Sequence, residues 1–142
     1  MKGIGITVAV GAVIQDESDR VLLVKHKPER EGFWQGKWIC PGGGLMSGEK
    51  IEDGIKREVK EETNLEIELT TPLIPFDRIV KSGDQTDLHV IYINYLAQKI
   101  KGDLKPDGDV GEACWFARKD IPVIWEELHD DTRKLLKIAN IA

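Results

Sequence analysis

The stretch that decides the fold is residues 43–65, which read GGLMSGEKIEDGIKREVKEETNL. Within it Ile51, Ile55 and Val59 recur at the spacing of one helix face. This periodicity predicts an amphipathic helix over residues 51–63. The apolar ridge of such a helix needs a sheet or a second helix to pack against.

The charge of this helix is concentrated in Glu58, Glu61 and Glu62. One interpretation is an ordinary solvated face held by ion pairs. However, Glu58 and Glu62 are four residues apart, and like charges at that spacing destabilise a helix. At about 100° per residue, the three carboxylates also flank the apolar ridge rather than pointing away from it. Clustered carboxylates at the edge of a core need cations, and hard oxygen ligands favour Mg²⁺ or Mn²⁺.

The spacing of residues 43–65 resembles the Nudix box of the MutT-like hydrolases. That box is a Gly, five residues, a Glu, seven residues, and then Arg-Glu-aliphatic-any-Glu-Glu-any-Gly-aliphatic. The matching positions are Gly43, Glu49, Arg57, Glu58, Val59, Glu61, Glu62 and Leu65. Asn64 stands where the family has Gly. We expect Asn64 to follow the helix in left-handed geometry, where Asn is the next best residue after Gly.

The resemblance implies an α/β fold (α+β), in which a mixed sheet lies in an α/β/α sandwich and the box forms a loop–helix–loop. It implies one domain over residues 1–142. It also implies a set of cation ligands, which are Gly43 through its carbonyl, Glu58, Glu61, Glu62 and, as a further candidate, Glu112. Arg57 is implied to join loop to helix by pairing with Glu49 or another box carboxylate.

The general base stays open between two carboxylates, because the family uses different ones. Glu58 lies in the box. Glu112 ends an acidic segment, residues 107–112, which we predict to be a flexible loop and which could equally be an ordinary surface loop.

Candidate substrate contacts lie outside the box. Phe33 and Trp34 fall in a polar loop, residues 27–37, where they could stack on a base or instead cap the core. Arg30 in the same loop could contact phosphate.

The resemblance leaves three functions open. The favoured one is metal-dependent hydrolysis of a diphosphate bond in a (d)NTP or oxidised nucleotide. The second is a pyrophosphatase for ADP-ribose or a sugar nucleotide. The third, of another class, is a non-catalytic nucleotide-binding or sensor domain, which we expect to have lost at least one of Glu58, Glu61 and Glu62.

The rest of the chain alternates strand and helix patterns. Strands are predicted at residues 6–14, 21–24, 38–40, 66–69, 88–96 and 113–116, and a last helix at 124–138.

The amino-acid composition excludes some classes of binding partner. The 142 residues carry 20 Lys and Arg against 25 Asp and Glu, a net charge of −5, which excludes a uniformly basic surface for extended nucleic acid. No apolar run is long enough to span a bilayer. Cys40 and Cys114 form no CxxC pattern, and we expect buried free thiols in a reducing cytoplasm. The sequence is compatible with both a monomer and a homodimer.

Overall fold

A computed structural model describes residues 5–30, 32 and 35–142. In this part of the chain seven strands and two helices follow one another. They are β1 (Thr7–Gln15), β2 (Val21–His26), β3 (Gly42–Gly44), α1 (Ile51–Thr63), β4 (Glu66–Pro72), β5 (Phe76–Ser82), β6 (Gln85–Lys101), β7 (Val110–Phe116) and α2 (Asp130–Ile138).

The strands form one mixed sheet in the order β4-β6-β1-β2-β7, with β3 paired to β1 and β5 paired to β6. The β1–β6 pair is parallel, and the other pairs are antiparallel. The parallel register places Ala9 opposite Tyr92 and Gly11 opposite Asn94. Because side chains alternate along a strand, these residues share one face of the sheet.

A helix covers each face of the sheet. Ile55 and Val59 of α1 pack with Val10 and Leu22 in one buried apolar cluster. Leu135 and Leu136 of α2 pack in a second cluster on the other face, with Val13 among its members. The predicted α/β/α sandwich with a mixed sheet is therefore confirmed.

The predicted helix at residues 51–63 matches α1 at both ends. Asn64 follows it with φ 66° and ψ 11°, which is left-handed geometry, and its backbone N–H donates to the Lys60 carbonyl. The Asn64 side chain also donates to the Asp103 carbonyl at 3.1 Å. An asparagine therefore performs the helix-ending role expected at this position.

The second helix was predicted to begin too early. Trp125–Glu127 forms a 3₁₀ turn, and α2 begins only at Asp130. The reason is local, because the His129 side chain accepts a hydrogen bond from the Asp131 N–H and caps the helix there.

The strands differ from the predictions in three places. Residues 38–40 make only isolated bridges, through Trp38 and Ile39, and the nearby strand is β3. Strand β5 was not predicted. Glu112 does not lie in a flexible loop, since β7 begins at Val110 and pairs Glu112 with Lys25.

Two observations concern membrane-spanning helices and the cysteines. In the part of the chain described here, no helix is long and apolar enough to cross a membrane. Cys40 and Cys114 are free thiols, but the prediction that both are buried is wrong, since Cys40 is half-buried and Cys114 is exposed on β7 at the edge of the sheet.

Candidate active site

A cavity of about 310 Å³ lies between the carboxylates of α1 and the start of α2. One end is lined by Gly43, Glu58 and Glu62. The other end is lined by aromatic and polar side chains, which are Phe76, Tyr92, Asn94, Asp131 and Thr132. The volume lies at the lower end of the range of small-molecule sites.

Glu62 is the most buried of the three box carboxylates, at 7% exposure. Its Oε1 accepts a hydrogen bond from the Gly42 N–H at 3.0 Å, which ties α1 to β3. Burial raises the pKa of Glu62 from 4.5 to about 8, and the nearby charges of Glu58 and Asp109 add to the rise. A carboxylate buried among like charges is stabilised by a bound cation.

Glu58 lies directly against the Gly43 backbone. A Cβ built on Gly43 would lie 2.5 Å from Cδ of Glu58, so only glycine leaves room for this carboxylate. Burial raises the pKa of Glu58, and the hydrogen bond from Arg57 to Oε1, at 2.9 Å, opposes that rise. Glu58 is thus a half-buried carboxylate at the cavity wall, packed against Gly43.

Arg57 connects the loop before α1 to the helix. Its guanidinium bonds both oxygens of Glu49 and the Gly44 carbonyl, the last at 3.2 Å. The hydrogen bond to Glu49 is the largest cause of a raised Arg57 pKa, so the group is firmly cationic. The expected pairing of Arg57 with Glu49 is what the structure shows.

Glu61 lies at the outer edge of this cluster. Its side chain is 56% exposed and lies 3.3 Å from Nη1 of Arg57. It is not among the residues that line the cavity.

The carboxylate facing the cavity from the 107–112 segment is Asp109 rather than Glu112. Asp109 pairs with Arg30 at 2.9 Å, and Arg30 also lines the cavity. Glu112 is exposed on β7 and does not line it. Phe33 and Trp34 lie outside the described residues.

The far end of the cavity is held by an ion-pair network. Nε and Nη2 of Arg78 on β5 donate to Oδ1 of Asp131 at 3.0 and 2.7 Å. The Tyr92 hydroxyl donates to Oδ2 of Asp131 at 2.6 Å. The Tyr92 ring lies 4.9 Å from that of Phe76. Strands β5 and β6 are therefore fixed to α2 beside the cavity.

Asp109, Asn94 and Asp131 are among the cavity residues that sequence reasoning missed. Asp109 lies in the acidic segment that we singled out, three residues before Glu112. Asn94 is a carboxamide within the otherwise apolar run Ile91–Leu96, which was a usable signal. Asp131 gave no sequence signal, because it lies beside Asp130 in what resembles an ordinary charged helix start.

The donor set fits a divalent cation that shares its coordination with a ligand. Among the described residues, no three His, Cys, Asp or Glu side chains form a ready-made cage. The Glu58 and Glu62 oxygens therefore supply only part of a coordination shell. Mg²⁺ normally completes its shell with waters and substrate phosphates, so an open carboxylate set of this kind suits it.

Comparisons with known proteins place this geometry in context. A protein-family model described as NUDIX domain matches residues 5–137. The nucleoside triphosphatase NudI of Escherichia coli O139:H28 is 26% identical over 131 residues, which cover 88% of this chain and 92% of that protein.

Solved structures share the fold. The MutT NUDIX hydrolase from Burkholderia pseudomallei superposes with a TM-score of 0.80 at 28% identity, covering 95% of this chain and 98% of that one. The NUDIX domain of Shewanella oneidensis NrtR, solved with ADP ribose, gives a TM-score of 0.74 at 21% identity over 96% of this chain and 88% of that one. At that identity the likeness shows the fold alone.

Proposed function

The chain belongs to the Nudix hydrolase family, and from that premise we propose that it hydrolyses a phosphoanhydride bond of a nucleoside triphosphate with the help of divalent cations. Nudix hydrolases act on small nucleotide substrates and generally use divalent metals. The observation that carries the proposal is the single cavity joining Glu58 and Glu62 to the aromatic end near Phe76. A nucleotide has the same two parts, a charged phosphate chain and a flat base.

The residues of the cavity end near Glu58 and Glu62 would have different roles in binding the phosphates. Glu58 and Glu62, with the Gly43 carbonyl and Glu61, would hold Mg²⁺ or Mn²⁺. Such cations neutralise phosphate charge and lower the pKa of a bound water. Arg57 keeps Glu58 and the loop in place, since it bonds both.

Glu58 is favoured over Glu112 as the general base. Glu58 lines the cavity, and burial raises its pKa toward the working range of a base. Glu112 is exposed on β7 and does not line the cavity. Arg30 lines the cavity and pairs with Asp109, and it would contact a phosphate of the substrate.

A triphosphate is favoured as substrate because the similar curated proteins are named nucleoside triphosphatases. An oxidised nucleotide would use the same site. ADP-ribose and sugar nucleotides are the competing substrates, and the NrtR domain named above was solved with ADP ribose.

The test is a side-by-side assay of the eight (d)NTPs, 8-oxo-dGTP, ADP-ribose and a sugar nucleotide, with Mg²⁺, with Mn²⁺ and with EDTA. We expect the highest kcat/KM for a triphosphate, with turnover abolished by EDTA. A higher kcat/KM for ADP-ribose would replace the triphosphate. An absence of turnover on the whole panel by folded protein would support a binding or sensor domain instead.

A further inference from the structure

Asn94 is a buried polar side chain whose amide is unused by the fold. The residue is 6% exposed on β6, in the sheet face that lines the cavity. Among the described residues, none forms a hydrogen bond with its side-chain amide. Buried carboxamides are nearly always paired, because an unpaired one destabilises a protein. Among the described residues, no fully buried side-chain nitrogen or oxygen lacks a partner, so the unpaired Asn94 amide reaches the open space of the cavity, where a ligand can bond it.

The residue opposite Asn94 leaves its amide clear. Gly11 faces Asn94 across the parallel β1–β6 pair. A Cβ at position 11 would lie 2.9 Å from Oδ1 of Asn94 and 2.6 Å from the Pro41 carbonyl, so no side chain fits there. Because position 11 is glycine, the Asn94 amide is not covered by a side chain from β1.

The cavity that Asn94 lines is also lined by Thr132, Phe76 and Tyr92. The Thr132 hydroxyl on α2, in a residue only 5% exposed, also has no partner within the described part of the chain. Asp131 beside it is not available in the same way, because Arg78 and Tyr92 bond its oxygens. Those bonds hold the Tyr92 ring against Phe76.

We propose that Asn94 determines which nucleobase this enzyme accepts, by donating one hydrogen bond to the base edge and accepting another, with Phe76 and Tyr92 against the base face. This inference rests on the proposed function, which assigns the phosphates to the Glu58 and Glu62 end. An amide offers both a donor and an acceptor, whereas a carboxylate only accepts. An uncharged amide in a cavity that aromatic rings also line suits a base rather than a phosphate.

The test compares kcat/KM for dATP, dCTP, dGTP and dTTP in the wild type, Asn94→Asp and Asn94→Leu. Guanine presents two adjacent donors, N1–H and the 2-amino group. We therefore expect Asn94→Asp to shift preference toward dGTP by about tenfold or more, mainly through KM. Asn94→Leu should flatten the differences among the four nucleotides. Asn140→Asp changes an exposed asparagine that does not line the cavity, and it should leave the profile unchanged.

A common factor on all four nucleotides in both Asn94 variants would overturn the inference, since a purely structural role scales every substrate alike. Failure of the proposed function is a different result, the absence of turnover by the wild type. In that case saturation-transfer NMR with the four free nucleosides, without metal, tests the base site directly. Base-dependent binding that Asn94→Leu removes supports the inference, and no binding by the wild type overturns it.

Discussion

Arg57 holds Glu49 with two hydrogen bonds, from Nε to Oε2 at 2.6 Å and from Nη2 to Oε1 at 2.9 Å. The bond from Arg57 is the largest cause that lowers the pKa of Glu49, from 4.5 to about 2. Glu49 in turn accepts a hydrogen bond from the Met46 N–H at 3.1 Å. The loop before α1 is therefore fixed to the helix that carries the carboxylates.

Arg57→Lys should lower kcat/KM about tenfold or more, although the positive charge is kept. Lysine has no planar fork, so it cannot bond both oxygens of Glu49 and the Gly44 carbonyl at once. Steady-state kinetics and the melting temperature measure the effect. Arg133→Lys is the matched control, because Arg133 pairs with Asp130 and Glu126, which are 69% and 91% exposed. Equal effects of the two variants would contradict the role given to Arg57.

Glu62→Gln should uncouple protein stability from divalent cations. A cation at about 100 times its Kd stabilises the wild type by about 2.7 kcal/mol. We expect most of that gain to disappear in Glu62→Gln. The metal-free variant should melt higher than the metal-free wild type, because the raised pKa of Glu62 costs stability above pH 4.5 and glutamine does not titrate. Thermal unfolding with Mg²⁺, Mn²⁺ or EDTA measures both the stabilisation by the cation and the melting temperature of the metal-free protein.

The control for Glu62 is Glu66→Gln on β4. The nearest positive group to Glu66 is Lys101 Nζ at 3.9 Å, and the Glu66 side chain is 51% exposed. This variant should respond to metal as the wild type does. A full metal response in Glu62→Gln would remove Glu62 from the ligand set.

Asn64→Gly should change stability by less than about 0.5 kcal/mol, and Asn64→Ala should cost about 1 kcal/mol. The reason is the φ of 66° at this position, which glycine adopts freely and alanine does not. Urea unfolding measures both. Equal stability of the two variants would mean that the left-handed geometry does not matter here.

The box and its helix were predictable because local rules decide them. The spacing of Ile51, Ile55 and Val59 predicted α1, and the resemblance of residues 43–65 to the Nudix box implied the sandwich. The single domain over residues 1–142, the oligomeric state and the cytoplasmic location stay predictions.

Strand β5 was not predictable in the same way, because a charged residue takes a half-buried position in it and an apolar residue takes an exposed one. Arg78 takes a half-buried position, whereas Ile79 is 50% exposed. Arg78 is half-buried because Asp131, 53 residues away, pairs with it. Non-local ion pairs of this kind also decide the far end of the cavity. They leave no periodic signal in the sequence.

Asp16→Asn should destabilise the protein by about 1 kcal/mol at pH 7 and by less at low pH. Burial alone would raise the pKa of Asp16, but hydrogen bonds from Arg20 and Ser18 lower it below 3.8. A depressed folded pKa gives stability that is present above pH 3.8 and lost as the pH falls through the folded value. Urea unfolding of both proteins at pH 7 and near pH 2.5 checks the sign. A difference that grows on acidification would contradict it.

The most direct measurement of the central claim is nucleotide hydrolysis with Mg²⁺ by the wild type, Glu58→Gln and Glu112→Gln. The cavity, and not the exposed face of β7, is proposed to carry the chemistry. We therefore expect Glu58→Gln to lose about 100-fold or more in kcat and Glu112→Gln to stay near the wild type. A wild-type rate in Glu58→Gln, or an equal loss in Glu112→Gln, would contradict the assignment of the active site.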